Sequence, residues 1–245
     1  HKEYRRQRQM CIRDSTLPGL SPNLDQLASE GILIKHAYVA SPICGPSRQA
    51  IYTGQFPQRS GFMGHGIQPP NWWRKKERKI IRESITSHLK DHGYLTGLIG
   101  KHGSEWCRFS VPPRGRNVET GMGRNPQKYI DFTRAFINQA KREKKPFFLS
   151  ANTHDPHRYW ANHQEENSQW IQAMMGNDSW RSFANGKPYP DPGTRFAPKN
   201  CPIPFSYHRD KKVRTLLSAY YGSVNRMDEI MGGILRVLQE SGQSK

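Results

Sequence analysis

Four residue types that can do chemistry, a thiol, a guanidinium, an ammonium and imidazoles, recur in this sequence just where apolar stretches end. The sharpest cluster is Cys44-Gly45-Pro46-Ser47-Arg48, followed by Thr53-Gly54. Proline and serine start a helix there, and both a helix N-terminus and a nearby guanidinium activate a thiol, so Cys44 is a candidate nucleophile. A lone cysteine at a loop-to-helix junction is more commonly a buried structural residue. Arg48 lies one helical turn beyond Cys44 and suits charge-assisted hydrogen bonding, although a solvated surface contact would use the same residue.

Lys101 follows the apolar run Tyr94 to Ile99 and Gly100, with His102 next to it. A lysine there can face a developing negative charge, or it can be an ordinary solvated strand end. Asn152-Thr-His-Asp-Pro-His157 closes a second apolar run, PFFLSA. An imidazole titrates near neutral pH and suits proton transfer, which makes His157 a candidate acid or substrate contact. His154, a weaker substrate-binding candidate, and Asp155 read more readily as caps of the strand end or as residues that orient His157.

These groups need elements to hold them. Ser21-Pro22, then Leu24, Leu27 and Ala28, then Gly31 predicts a short helix with Ser21 at the N-cap. Ile32 to Ala40 is rich in Ile, Val and Tyr and predicts a strand that runs into a loop carrying Cys44. Ser84 to His92, closed by Gly93, predicts a helix, and Tyr94 to Ile99 a buried strand. Tyr129, Phe132, Phe136, Ile137 and Ala140 mark one face of another helix, and Pro146 to Ala151 the next strand. Three helix-to-strand units with polar residues at equivalent strand ends predict an α/β fold with a largely parallel sheet, whose C-terminal edge is where active sites lie. Residues 159–209, dominated by Pro, Asn, Gly, Trp and Tyr, read as an elaborated loop region. From Val213 to Leu238 an apolar stripe predicts a long amphipathic helix that stops at Gly242, and core packing accounts for the stripe.

CGPSRQAIYTG resembles the CxPSR signature of type I, formylglycine-dependent sulfatases. SPNLDQLASEGILIKHAYVASPICGPSRQAIYTGQFPQRSG is similar to that family's N-terminal block, TGLIGKHG to its lysine strand end and FFLSANTHDPHR to its histidine strand end. The resemblance covers Ser15 to Lys245. Within the family, HDPHR, a preceding GRN segment and VNRMDEIMGGILRVLQESG are most similar to heparan N-sulfatase (sulfamidase)-like members. It implies an alkaline-phosphatase-like sulfatase fold with a central parallel sheet flanked by helices. Residues 1–15 read as a tail, open to being non-native, and residues 16–245 are expected to form a partial, incomplete catalytic domain truncated at both ends.

The resemblance also implies roles. Cys44 would be oxidised to formylglycine by the formylglycine-generating enzyme, and the hydrated aldehyde would attack sulfur. Arg48 would hold that hydrate, Lys101 would grip the sulfate oxygens, and His157 would contact sulfate and protonate the leaving group. The family places a histidine two residues after its lysine. Here His102 is adjacent and Gly103 takes the expected place, so the role of His102 does not transfer directly. The family's Ca2+ would be bound by the formylglycine at Cys44 together with acidic and amide ligands, oxygen donors suited to a hard cation. Glu3 and Asp14 do not reproduce the upstream Asp pair, and the chain stops before the later pair, so these residues alone are expected to be inactive.

Composition is consistent with an enzyme of one sizeable domain. At 245 residues a single core is possible, and only 34% hydrophobic residues with 18 Pro and 21 Gly concentrates the apolar residues in a few segments. The formal charge of +18 attracts polyanions. Arg74-Lys75-Lys76-Glu77-Arg78-Lys79 after Trp72 and Trp73 could meet a sulfated glycan, or simply be a solvated loop. No phosphate-loop, helix-turn-helix or RNA-binding signature is present, so nucleic acid is not the expected partner. No apolar run reaches the roughly 18 residues of a membrane span. The expected substrate is a sulfated carbohydrate or other sulfate ester, and the family resemblance implies a periplasmic, lysosomal or secreted location. Two other readings fit the residues: phosphate or phosphonate ester hydrolysis in the same superfamily, and a non-catalytic, basic polyanion-binding fragment.

Overall fold

A computed structural model describes residues 17–34, 36–64, 83–101, 107, 109–114, 124–157, 193–204 and 207–243. In chain order its elements are α1 (Pro22–Glu30), α2 (Cys44–Thr53), α3 (Pro57–Ser60), α4 (Ile85–Asp91), β1 (Leu95–Gly100), β2 (Val111–Arg114), α5 (Pro126–Arg142), β3 (Phe147–Asn152), a 3-10 turn (Pro198–Asn200) and α6 (Lys211–Glu240). None of the described helices is long and apolar enough to cross a membrane. The described residues divide into two compact units. One draws on Ile34–Arg116 and Arg134–Asn152, the other on His1–Leu33, Asn117–Thr133 and Thr153–Lys245.

The first unit is built on a parallel sheet of order β2-β1-β3. β1 is buried along its whole length, as a central parallel strand must be, and its LTGLIG sequence is accordingly almost continuous in apolar or small residues. It runs in unbroken register with β3 from Leu95 opposite Phe147 to Gly100 opposite Asn152. Gly97 makes room for Phe136, whose ring would lie 2.4 Å from a Cβ at that position, and Phe136 meets Phe147 edge to face at 5.9 Å. The helix predicted from Ser84 forms as α4, and Ser84 caps it, its side chain accepting from the Ser87 amide.

The expected strand at Ile32 to Ala40 does not form. Its described residues join no ladder, and Ile32 and Tyr38 are 94% and 93% exposed. β-Branched and aromatic residues favour a strand only when a neighbouring strand accepts them. Cys44 therefore does not sit in a loop after a strand but is the first residue of α2. The third strand is instead β2, with the sequence VPPR. Two prolines argue against a central strand, but β2 lies at the sheet margin, where a missing N–H is tolerated. Its pairing slips between Gly97 and Ile99, where two residues of β1 span three of β2.

In the second unit, Leu17, Leu20, Phe196, Cys201, Tyr221 and Val224 form an apolar cluster. The predicted stripe on α6 is there, with Val224, Ile230, Ile234 and Val237 buried, but it is not the whole account. Asn225, Arg226 and Asp228 are buried as well. Asp228 explains the start of α1. Ser21 occupies the N-cap position but makes no side-chain cap. The cap comes from Asp228, whose carboxylate accepts from the Asn23 amide at 3.0 Å, the Leu24 amide at 2.8 Å and the Asn23 side chain at 2.7 Å. A negative charge on the first-turn amides also complements the helix dipole. Gly232 and Gly233 weaken α6 locally, yet a Cβ on Gly232 would lie 2.3 Å from Asn23 and one on Gly233 2.6 Å from Ile130. Both glycines are required for close approach.

Two outcomes follow. Asp228→Ala strands two helix N–H groups and should cost about 3 kcal/mol in urea unfolding, clearly more than Asp228→Asn, because charge-assisted bonds are the stronger ones. Burial, with Cys201 and Tyr220 alongside, pushes the Tyr221 hydroxyl up to about 12, and burial raises the Cys201 thiol too. The unfolded chain gives up its tyrosine proton near pH 10 while the folded chain still holds it, so stability should fall as pH rises from about 10 towards 12. Unfolding titrations of Tyr221→Phe should show a shallower fall over that window.

Candidate active site

Helix α2 opens on an extended Ile43 (φ −104°, ψ 135°) whose carbonyl accepts from the Ser47 amide at 3.0 Å. Pro46 lies in the first turn, where its missing N–H leaves no bond unmade. Gly54 closes the helix in the left-handed region (φ 65°) and returns its amide to Ala50, while Thr53 hydroxyl donates back to Gln49 at 2.7 Å. The Thr53-Gly54 pair is thus a helix terminator.

Cys44, Arg48 and Tyr52 fall at successive helical turns and share one face of α2. Arg48 Nη1 donates to the Lys101 carbonyl at 3.2 Å, and the Lys101 amide donates to Asn152 O at 2.8 Å, extending the β1–β3 ladder by one bond. Tyr52, 5% exposed, has its hydroxyl 2.5 Å from Ser150 Oγ. Asn152 Nδ2 donates to both, at 3.4 and 3.0 Å. The helix is therefore fastened twice to the C-terminal ends of β1 and β3, and Cys44 lies half-buried one turn from Arg48. The Arg48 side chain and the Lys101 backbone meet at this end of the sheet, with Cys44 one turn back along α2. Tyr52, Ser150 and Asn152 were not legible as part of it, since a tyrosine in a helix and a serine in a strand carry no signal of each other.

The histidine turn belongs to the other unit. After β3, the chain turns through Thr153–His157, with the His157 amide donating to His154 O at 2.7 Å and the Thr153 hydroxyl to Asp155 O at 2.6 Å. His157 is exposed, while Asp155 is buried. Arg124 Nε reaches Asp155 Oδ1 at 2.8 Å, and Arg226 reaches Oδ2 at 2.6 Å and Oδ1 at 3.0 Å. Arg124 Nη2 also donates to the His157 carbonyl at 3.1 Å. Of the two sequence readings of Asp155, the one that orients the turn fits this arrangement. Arg226 was hidden inside what reads as an apolar stripe.

His102 and the basic run Arg74–Lys79 with Trp72 and Trp73 lie outside the described residues, as do Glu3, Asp14 and most of the 159–209 loop. Among the described residues no three His, Cys, Asp or Glu side chains gather to hold a metal. The two buried aspartates are engaged elsewhere, Asp155 by two guanidiniums and Asp228 by the start of α1. The donor set described here does not fit a calcium ion, which takes six to eight oxygens.

A family model described as Sulfatase matches residues 13–245. Human N-sulphoglucosamine sulphohydrolase is 28% identical over 227 residues, spanning 91% of this chain and 43% of its own length. Human N-acetylgalactosamine-6-sulfatase is 36% identical over 188 residues, 58% of this chain and 34% of its own. A solved structure of a 2-O GAG sulfatase aligns with a TM-score of 0.54 at 17% identity, over 95% of this chain and 52% of that one. This likeness shows the fold, the alkaline-phosphatase-like α/β architecture of sulfatases. The chain spans less than half the length of these two curated relatives.

The Tyr52–Ser150 contact should be measurable as coupling. Tyr52→Phe and Ser150→Ala are each expected to cost about 1 kcal/mol, and the double variant less than their sum, in a denaturant double-mutant cycle.

Proposed function

Because the chain belongs to the sulfatase family, we propose that this protein hydrolyses sulfate esters or N-sulfate groups of a sulfated carbohydrate, with a formylglycine derived from Cys44 as nucleophile. The observation that carries the reading is Cys44 in the first turn of α2, with Arg48 one turn on and its guanidinium 3.2 Å from the Lys101 carbonyl. A candidate nucleophile with a guanidinium one turn away, tied to the strand end that carries Lys101, suits a reaction that handles a tetrahedral anion.

The chemistry follows from the aldehyde. Its hydrate carries two hydroxyls, and one gives up its proton to solvent and attacks sulfur while the bond from sulfur to the bridging oxygen or nitrogen breaks. His157 gives the departing group its proton. The second hydroxyl then loses its proton, the carbonyl re-forms, and sulfate leaves. An ordinary thiol has no second hydroxyl and cannot perform the last step. Arg48 hydrogen-bonds the hydrate and Lys101 offsets charge on the sulfate oxygens.

A polyanionic substrate agrees with the charge of +18, and one relative aligned over most of the chain is by name a hydrolase of N-sulphoglucosamine. Such a glycan substrate fits a periplasmic, lysosomal or extracellular setting.

The test is mass spectrometry of the Cys44 tryptic peptide after co-expression with the formylglycine-generating enzyme. The aldehyde is expected at Cys44 and absent from Cys107 and Cys201. A thiol left unmodified at Cys44 overturns the sulfatase reading in favour of polyanion binding without turnover.

A further inference from the structure

We propose that Arg124 and Arg226, acting through the Asp155 carboxylate, are positioning residues that fix the backbone from which His157 is presented. The proposal rests on the reading of His157 as the proton donor and adds to it the groups that set its place.

The cluster is deeply buried, with side-chain exposures of 4% for Arg124, 1% for Arg226 and 0% for Asp155. Burying three charged groups is not an efficient way to gain stability, since well-packed apolar residues of similar volume commonly do as well or better. Charged groups in such a place set direction. Three guanidinium N–H groups converge on the two Asp155 oxygens, at 2.6, 2.8 and 3.0 Å, and fix the carboxylate in position and rotation. Arg124 then extends the same planar group to the His157 carbonyl at 3.1 Å. The Thr153 hydroxyl holds Asp155 O, and the His157 amide holds His154 O. Arg124 thus ties both the Asp155 side chain and the His157 carbonyl to one buried group, while two hydrogen bonds within the turn hold its shape.

Arg226 is itself held in place. Its neighbour Asn225 donates to the Gly19 and Leu20 carbonyls, each at 3.3 Å, and Asp228 caps α1. An exposed imidazole on an immobilised main chain is the arrangement that proton transfer to a leaving group needs, because misplacement by an ångström is costly there.

The experiment uses the full chain with isotope-labelled histidine and reads two signals of His157, its imidazole resonance and its amide exchange rate. Arg124→Lys keeps the charge beside Asp155 but cannot reach both Asp155 and the His157 carbonyl, and Arg226→Lys removes one of its two bonds to the carboxylate. Arg124→Lys is expected to unfold cooperatively near the wild-type midpoint, to exchange the His157 amide about ten- to a hundredfold faster, and to move the His157 resonance while those of His88 and His92 stay. Arg226→Lys is expected to do the same to a smaller degree. If Arg226→Lys fails to fold, Arg124→Lys alone decides. Unchanged His157 signals in a folded Arg124→Lys overturn the proposal, and so does global unfolding of both variants, which would mark the cluster as merely structural. Cys44 conversion is read separately in the wild type, so an unconverted thiol beside a displaced His157 would sink the sulfatase reading and leave the positioning role standing.

Discussion

A polar side chain placed in low dielectric without a partner costs more than most apolar contacts return, and the unit built around α6 turns on that constraint. Between Val224 and Ile230 the helix carries Asn225, Arg226, Asp228 and Glu229, which together reach several separate stretches of chain. Asn225 holds the 19–20 turn and the Thr194 amide, Arg226 the Asp155 carboxylate, Asp228 the first turn of α1, and Glu229 the Gly193 amide. Apolar packing supplies much of the driving force for burying α6, but it is non-directional. The polar quartet decides which segments arrive and in what orientation.

The nucleophile helix is secured on another principle. Its only large buried apolar side chain is Tyr52, and even that one is used through its hydroxyl as well as its ring, which meets Phe109 edge to face at 6.0 Å. Hydrogen bonds from two side chains one turn apart fasten α2 to two adjacent strand ends, which limits sliding and rotation together. Cys44 can then remain half-buried without its helix being loose.

Local signals were legible in the sequence and distant ones were not. Ser84 before α4, the unbroken apolar run of β1 and the PFFLSA strand each declare themselves within a few residues, and the structure places them there. Ser21 declared a cap that Asp228 supplies from 205 residues away, and nothing near Ser21 could have said so. Ile32 to Ala40 has the composition of a strand without the pairing that makes one, and VPPR is a strand despite its composition. At the candidate site the motif residues Cys44, Arg48 and Lys101 were readable because their chemistry is local. Tyr52, Arg124 and Arg226 matter through partners found only by folding.

The two prolines of β2 have a consequence for the sheet as a surface. A strand at a margin usually offers a row of amides on which another chain can crystallise, and soluble proteins must spoil that invitation. Successive amides of a strand face opposite sides, so Pro112 and Pro113 withhold one donor from β1 and one from the opposite flank, and the register slips beside them. Among the described residues β2 is the margin of the sheet, and a proline there leaves one fewer amide for a stray strand to pair with.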